Sequence, residues 1–155
     1  LWELTELEVQ RDGLEEVLGR LGRLVRIPTL PRVYREIYAS LCRRAGLPEA
    51  ALKEYEKLGA EGVRPNIQKR EAITLAKSGR EREALPLLEE LLRASPADRY
   101  LHASYVAACG RIGEEERGIN FYNELLGRHP GVKTIYGHIK KLQRKCMQRQ
   151  SENGQ

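Results

Sequence analysis

At 155 residues, with 41% hydrophobic and 32% charged side chains, the chain is too apolar for disorder and long enough to bury a usable core. Its net charge of +5 and pI near 9.2 are mildly basic, and no stretch approaches the roughly 18 uninterrupted apolar residues that would span a bilayer. Cys42, Cys109 and Cys146 are odd in number and widely spaced, which argues against a disulfide framework or a zinc signature and for a reducing compartment.

Taken in chain order, the hydrophobic pattern predicts helices over 1–12, 14–26, 32–45, 48–62, 66–78, 80–94, 99–112, 114–128 and 132–148. No segment alternates with period 2, so the expected class is all-α. The first pair flanks Gly13 and ends at Pro28 and Pro31. The last helix stands without a partner before a polar tail, residues 149–155. Because the chain starts at Leu1, it reads as a processed or partial product, with any targeting segment upstream.

Self-similarity organises these helices. Gly13, Gly46, Gly79 and Gly113 are spaced by 33, 33 and 34 residues. Around the last three the text aligns as AGLPEAALKEYEKL, SGREREALPLLEEL and IGEEERGINFYNEL. Five residues after each glycine comes Ala51, Ala84 or Gly118, then Leu52, Leu85 or Ile119, then Tyr55, Leu88 or Tyr122, then Leu58, Leu91 or Leu125. Offsets of 5, 6, 9 and 12 trace one face of a helix, and the small first residue allows a neighbouring helix to approach closely. Four positions before the glycines stand Cys42, Leu75 and Cys109. Each unit is therefore helix A, a glycine turn, helix B and a proline-marked connection, with Pro65, Pro96 and Pro130 closing successive units. Such a unit cannot hide its apolar face alone, so the units must stack as an α-solenoid: about 1–31, 32–65, 66–98 and 99–131, with a capping helix at 132–148 in a single domain.

The segment Glu56–Asn66, EKLGAEGVRPN, resembles the end of a pentatricopeptide repeat, and Val33–Asn66 resembles one complete unit. The following units close at Ser95-Pro96 and His129-Pro130, which is similar to the tetratricopeptide repeat. The resemblance implies antiparallel helix pairs in a right-handed superhelix with A helices on the concave side. The pentatricopeptide resemblance also implies an organellar protein, mitochondrial first and chloroplast second, that binds RNA, whereas the tetratricopeptide resemblance implies binding of peptides and proteins. At the position ten before each glycine, Glu36, Lys69 and Ala103 depart from the Asn, Ser or Thr of base-reading repeats, whereas Asn66 fits.

Charge is segregated along the repeat. The A helices at 32–45, 66–78 and 99–112 carry +3, +2 and +2, and the last helix carries Lys133, Lys140, Lys141, Arg144, Lys145 and Arg149 with no acid; the B helices carry −2, −1 and −2. If the A helices share one wall, their cations converge where a polyanion could lie. The expected RNA contacts are Arg35, Arg43, Arg44, Lys69, Arg70, Lys77, Arg111, Lys140, Lys141, Arg144 and Lys145, each to phosphate.

The motifs of catalysis are missing from the text. There is no phosphate-binding glycine loop, metal-ligand spacing or nucleophile elbow, and His102, His129 and His138 are scattered. Neither an enzyme nor a cofactor is expected. Cys42 and Cys109 share a repeat position with Leu75 and read as small packing residues. Tyr38, Tyr55, Tyr105 and Tyr122 fall at inter-repeat packing positions, whereas Tyr34, Tyr100 and Tyr136 open A helices and are candidates for an exposed stacking surface. The leading expectation is a subunit of a large ribonucleoprotein, such as a mitochondrial ribosome or RNA-processing complex, holding rRNA or mRNA by its phosphates beside protein neighbours. The alternative is a tetratricopeptide-like adaptor that binds proteins without RNA.

Overall fold

The computed structural model describes residues 1–154. These form nine α-helices and no strand: α1 (Trp2–Asp12), α2 (Leu14–Leu24), α3 (Arg32–Arg44), α4 (Pro48–Ala60), α5 (Pro65–Lys77), α6 (Glu81–Ala94), α7 (Arg99–Ile112), α8 (Glu115–Arg128) and α9 (Thr134–Asn153). The architecture is the expected α-solenoid type, built from antiparallel helix pairs. Helix ends fall close to those read from the sequence, with one exception. Instead of giving way to a tail, α9 runs on to Asn153, because Arg149, Gln150 and Glu152 are good helix formers and Arg149 is anchored on the preceding hairpin.

The repeated glycine has a repeated geometry. Gly46, Gly79 and Gly113 have φ of +74°, +83° and +75°, a left-handed conformation that a side chain would strain. In each case the next residue donates its backbone N–H five residues back: Leu47 to Cys42 O at 2.8 Å, Arg80 to Leu75 O at 3.1 Å, and Glu114 to Cys109 O at 2.9 Å. This closes helix A by the Schellman arrangement and turns the chain into helix B. The residues four before the glycine thus supply both a core side chain and the carbonyl that ends their helix.

The chain divides into two compact units, Leu1–Thr74 and a second from Leu75 onward, with the division falling inside α5. In the first unit α1 packs on α2, α2 on α3, and α3 most extensively on α4. Ile37, Cys42, Ala51, Tyr55 and Leu58 are fully buried there. In the second unit α6 packs on α7, α7 on α8, and α9 against both α8 and α7. Its core joins Leu85, Leu88, Leu92 and Leu101 to an aromatic cluster in which Tyr105 meets Phe121 at 5.0 Å and Tyr122 edge-on at 5.5 Å. Burying each such side chain contributes about 1.5–3 kcal/mol. Tyr55, Tyr105 and Tyr122 occupy the expected packing positions with no exposed surface.

The small residue at the start of helix B shows its purpose at Gly118. A β-carbon there would lie 2.7 Å from Leu142 Cδ1 on α9 and 3.1 Å from Cys109 Sγ on α7. Its absence lets three helices meet.

Candidate functional site

The cations of the A helices and of α9 fall into those engaged within the fold and those without an ion pair. Arg35 is 7% exposed. It donates to Val25 O (2.9 Å) and Ile27 O (3.1 Å) at the C-terminal end of α2, with the Glu54 carboxylate 3.6 Å and Glu61 3.8 Å away. The expectation of a phosphate contact at Arg35 is corrected: its two terminal nitrogens are spent on helix-end carbonyls and its Nε is buried, so the guanidinium is withdrawn from any ligand in solvent. Arg44 reaches across to α1, where Glu6 accepts from it through both carboxylate oxygens at 3.0 and 2.9 Å. Arg70 lies 5.7 Å from the centroid of the Trp2 ring. Lys69 is half-buried and Arg43 is exposed.

The second unit uses the same device. Arg111 donates to Ala76 O near the end of α5 and, at 2.7 Å, to Glu81 in the first turn of α6. Arg149 donates to Gly110 O (2.6 Å) near the end of α7 and lies 3.0 Å from Glu115 in the first turn of α8. Ala76 and Gly110 each stand three before a repeat glycine, and Glu81 and Glu115 each stand two after one, so this is a repeated clamp. One guanidinium spans a carbonyl at the negative end of helix A and a buried carboxylate at the positive end of helix B. The Arg111 side-chain hydrogen bond holds the Glu81 carboxyl below its usual range. The signal for the two glutamates was present in their common register, but the clamping arginines lie 30 or more residues away in sequence and were counted only as charge.

Further pairing consumes Arg80 (Glu83, 2.7 Å), Arg93 (Glu124, 3.5 Å), Arg117 (Glu89, 2.8 Å) and Arg128 (Glu124, 3.1 Å). Of the expected contacts, those without an ion pair among the described residues are Arg43, Arg70, Lys77 and, on α9, Lys140, Lys141, Arg144 and Lys145. Lys145 is half-buried, with its ammonium 2.6 Å from where a β-carbon on Gly110 would stand. Lys140, Lys141 and Arg144 are exposed. They lie on the side of α9 opposite Ile135 and Leu142, the two residues that α9 buries completely. Of the tyrosines that open A helices, Tyr100 and Tyr136 are 57% and 52% exposed, whereas Tyr34 is half-buried in a cleft of about 280 Å³ shared with Leu1, Leu4 and Leu24 and with Glu8 and Arg20.

The titratable core groups do structural work. His102 has both ring nitrogens engaged, Nε2 with Pro96 O at 2.8 Å and Nδ1 with Tyr122 Oη at 3.0 Å. A carbonyl only accepts, so Nε2 carries a proton and donates it to Pro96 O; the tyrosine hydroxyl, which can donate or accept, engages Nδ1. His138 of α9 stacks on His102 with centroids 4.6 Å apart, and burial, reinforced by His102 and Lys141, lowers its pKa. Burial pushes the Cys109 thiol up to about 11, which makes it a packing group and a poor nucleophile. No cluster of three metal-ligating side chains occurs among the described residues, and no helix among them is long and apolar enough to cross a membrane.

Comparison with known proteins places this geometry in a class. No family model matches the chain, and no curated protein matches it. Solved structures do. MamA, from residue 41 to its end, of Desulfovibrio magneticus RS-1 is 19% identical, with 96% of this chain and 93% of that one covered and a TM-score of 0.65. YrrB, described as a TPR protein with an unusual peptide-binding site, is 14% identical over 94% of this chain and 79% of its own, with a TM-score of 0.62. A Podosopora anserina chain of nearly identical TPR-like repeats is 18% identical over 99% and 88%, with a TM-score of 0.67. The fold is therefore that of tetratricopeptide-type helical repeats. These neighbours do not single out the pentatricopeptide branch, which the sequence suggests through Val33–Asn66.

Proposed function

We propose that the chain is a non-catalytic protein-interaction module of the tetratricopeptide type. One observation carries this reading: Arg35, Arg44 and Arg111 of the A helices are engaged by carbonyls or glutamates of the fold, while on α9 Tyr136 and Met147 stand 52% and 62% exposed beside Lys140, Lys141 and Arg144, which have no acidic partner. Tyrosine, methionine and arginine together are the composition of a protein-binding surface. The description of YrrB as peptide-binding supports it by likeness of fold. The test is co-purification of the tagged chain with and without nuclease at low and moderate salt. Protein partners retained after nuclease treatment are the expected result, and complete loss of partners on nuclease treatment refutes the reading.

A second reading keeps RNA as the ligand. Lys77, Lys140, Lys141, Arg144 and Lys145 of the second unit favour it, because no ion pair engages them among the described residues. An rRNA- or mRNA-bound subunit of an organellar ribonucleoprotein would hold phosphates there, and its affinity would fall steeply with salt. Its mitochondrial location would rest on the pentatricopeptide-like unit alone. Ultraviolet crosslinking that recovers no RNA on the wild-type chain excludes it.

A further inference from the structure

The solvent row of α9 is more specific than a basic patch. Tyr136, Lys140, Arg144 and Met147 follow one another at spacings of four, four and three, so they line one edge of the helix over about 16 Å. Tyr136 and Met147, at the two ends, are more than half exposed, and the two cations lie between them. Lys141 lies beside the row, and α9 carries no acid before Glu152. The row faces away from Ile135 and Leu142, and none of its members is used in the core or in a clamp.

We propose that this row is the docking site for an acidic, amphipathic segment of a partner protein, with carboxylates set against Lys140 and Arg144 and an apolar side chain against each of Tyr136 and Met147. The proposal deepens the protein-interaction reading and rests on it. Charge complementarity selects an acidic occupant. Three features select protein over nucleic acid. The row lies on one helix, and Arg93, Arg111, Arg117, Arg128 and Arg149 of the same unit are each paired with a glutamate. A polyanion tracking the repeats would find few phosphate sites among them. The thioether of Met147 has nothing to offer a phosphate, but it fills irregular apolar contacts well. Bracketing charge by apolar anchors at helical spacing is also how one amphipathic helix is read by another.

The test uses a fluorescein-labelled 18-residue peptide with glutamates at four-residue spacing and a leucine at each flank. A charge-inverted lysine version and a 20-nucleotide single-stranded RNA are the comparison probes. Binding to the full chain is read by fluorescence anisotropy at 50 and 200 mM KCl. The expected result is that the acidic peptide binds and the lysine peptide does not. K140E/R144E weakens the acidic peptide at least tenfold, and Y136S/M147S at least fivefold, both with unchanged far-UV circular dichroism. R82E, an exposed charge on α6, changes nothing. RNA affinity responds to K140E/R144E only and stays below that of the peptide. The proposal is overturned if the acidic peptide fails to bind, if Y136S/M147S binds it like the wild type, or if RNA binds tenfold more tightly than the peptide. If nuclease-resistant partners of the wild type are fully retained by K140E/R144E, this docking site is wrong while the protein-interaction reading stands. If the wild type retains none, the broader reading is what fails.

Discussion

Gly118 offers a direct test of how closely the repeat packs. Alanine for glycine inside a helix is worth up to about 1 kcal/mol by propensity alone. At Gly118 that gain meets a clash, because the new β-carbon would lie 2.7 Å from Leu142 Cδ1 and 3.1 Å from Cys109 Sγ. Both neighbours are fully buried, so neither can swing into solvent. Overpacking of this kind costs about 1–3 kcal/mol, and the net expectation for Gly118→Ala is destabilisation by roughly 1 kcal/mol. Gly19, in the middle of α2 with nothing within 4 Å of its would-be β-carbon, is the control; Gly19→Ala should stabilise by up to about 1 kcal/mol. Urea denaturation followed at 222 nm measures both. Leu142→Ala costs about 2–5 kcal/mol by itself, but it removes the obstructing methyl, so Gly118→Ala added to it should be neutral or stabilising. The double-mutant cycle should then show a coupling above about 0.5 kcal/mol. If Gly118→Ala stabilises the wild type as much as Gly19→Ala does, the three-helix contact is not the reason for the glycine.

Other consequences follow from the same contacts. Arg35→Met should destabilise by about 3 kcal/mol in denaturant titrations, because it orphans two helix-end carbonyls and weakens the pairing of Glu54; a loss of ligand binding with unchanged stability would contradict its structural role. Arg149→Gln should loosen the last turns of α9, read as faster amide exchange over Arg144–Asn153 with the α6–α7 pair unchanged, because it breaks the clamp on Gly110 O and Glu115. Stability should also fall on mild acidification. The folded pKa of His138 is lowered, so the unfolded state binds more protons as pH drops through about 6.5, and the loss levels off only below the folded value. His138→Phe keeps the ring stack and should flatten melting temperature between pH 7.5 and 5.5; an unchanged slope would acquit His138.

Much of the architecture was legible because it depends on local rules repeated along the chain. The glycine at each A-to-B turn is needed for a left-handed φ, and the small residue five positions later for close approach. Both needs recur with the repeat, so both announced the fold. The tyrosines at helix-B and helix-A packing positions were legible for the same reason, since a face is a matter of spacing. The destination of each arginine was not. Arg35, Arg111 and Arg149 look alike in a list of charges with Lys140 and Arg144, and only the approach of helix ends separates them.

The residues alone determined an all-helical repeat and where each helix starts, because hydrogen bonding within a helix and the sterics of a turn involve neighbours in the chain. Which cations remain available to a partner was decided by the tertiary structure. Helix-end carbonyls and buried glutamates brought near from distant positions attract the closest guanidinium first, and what the fold leaves unpaired on the outer edge of α9 is what another molecule can use.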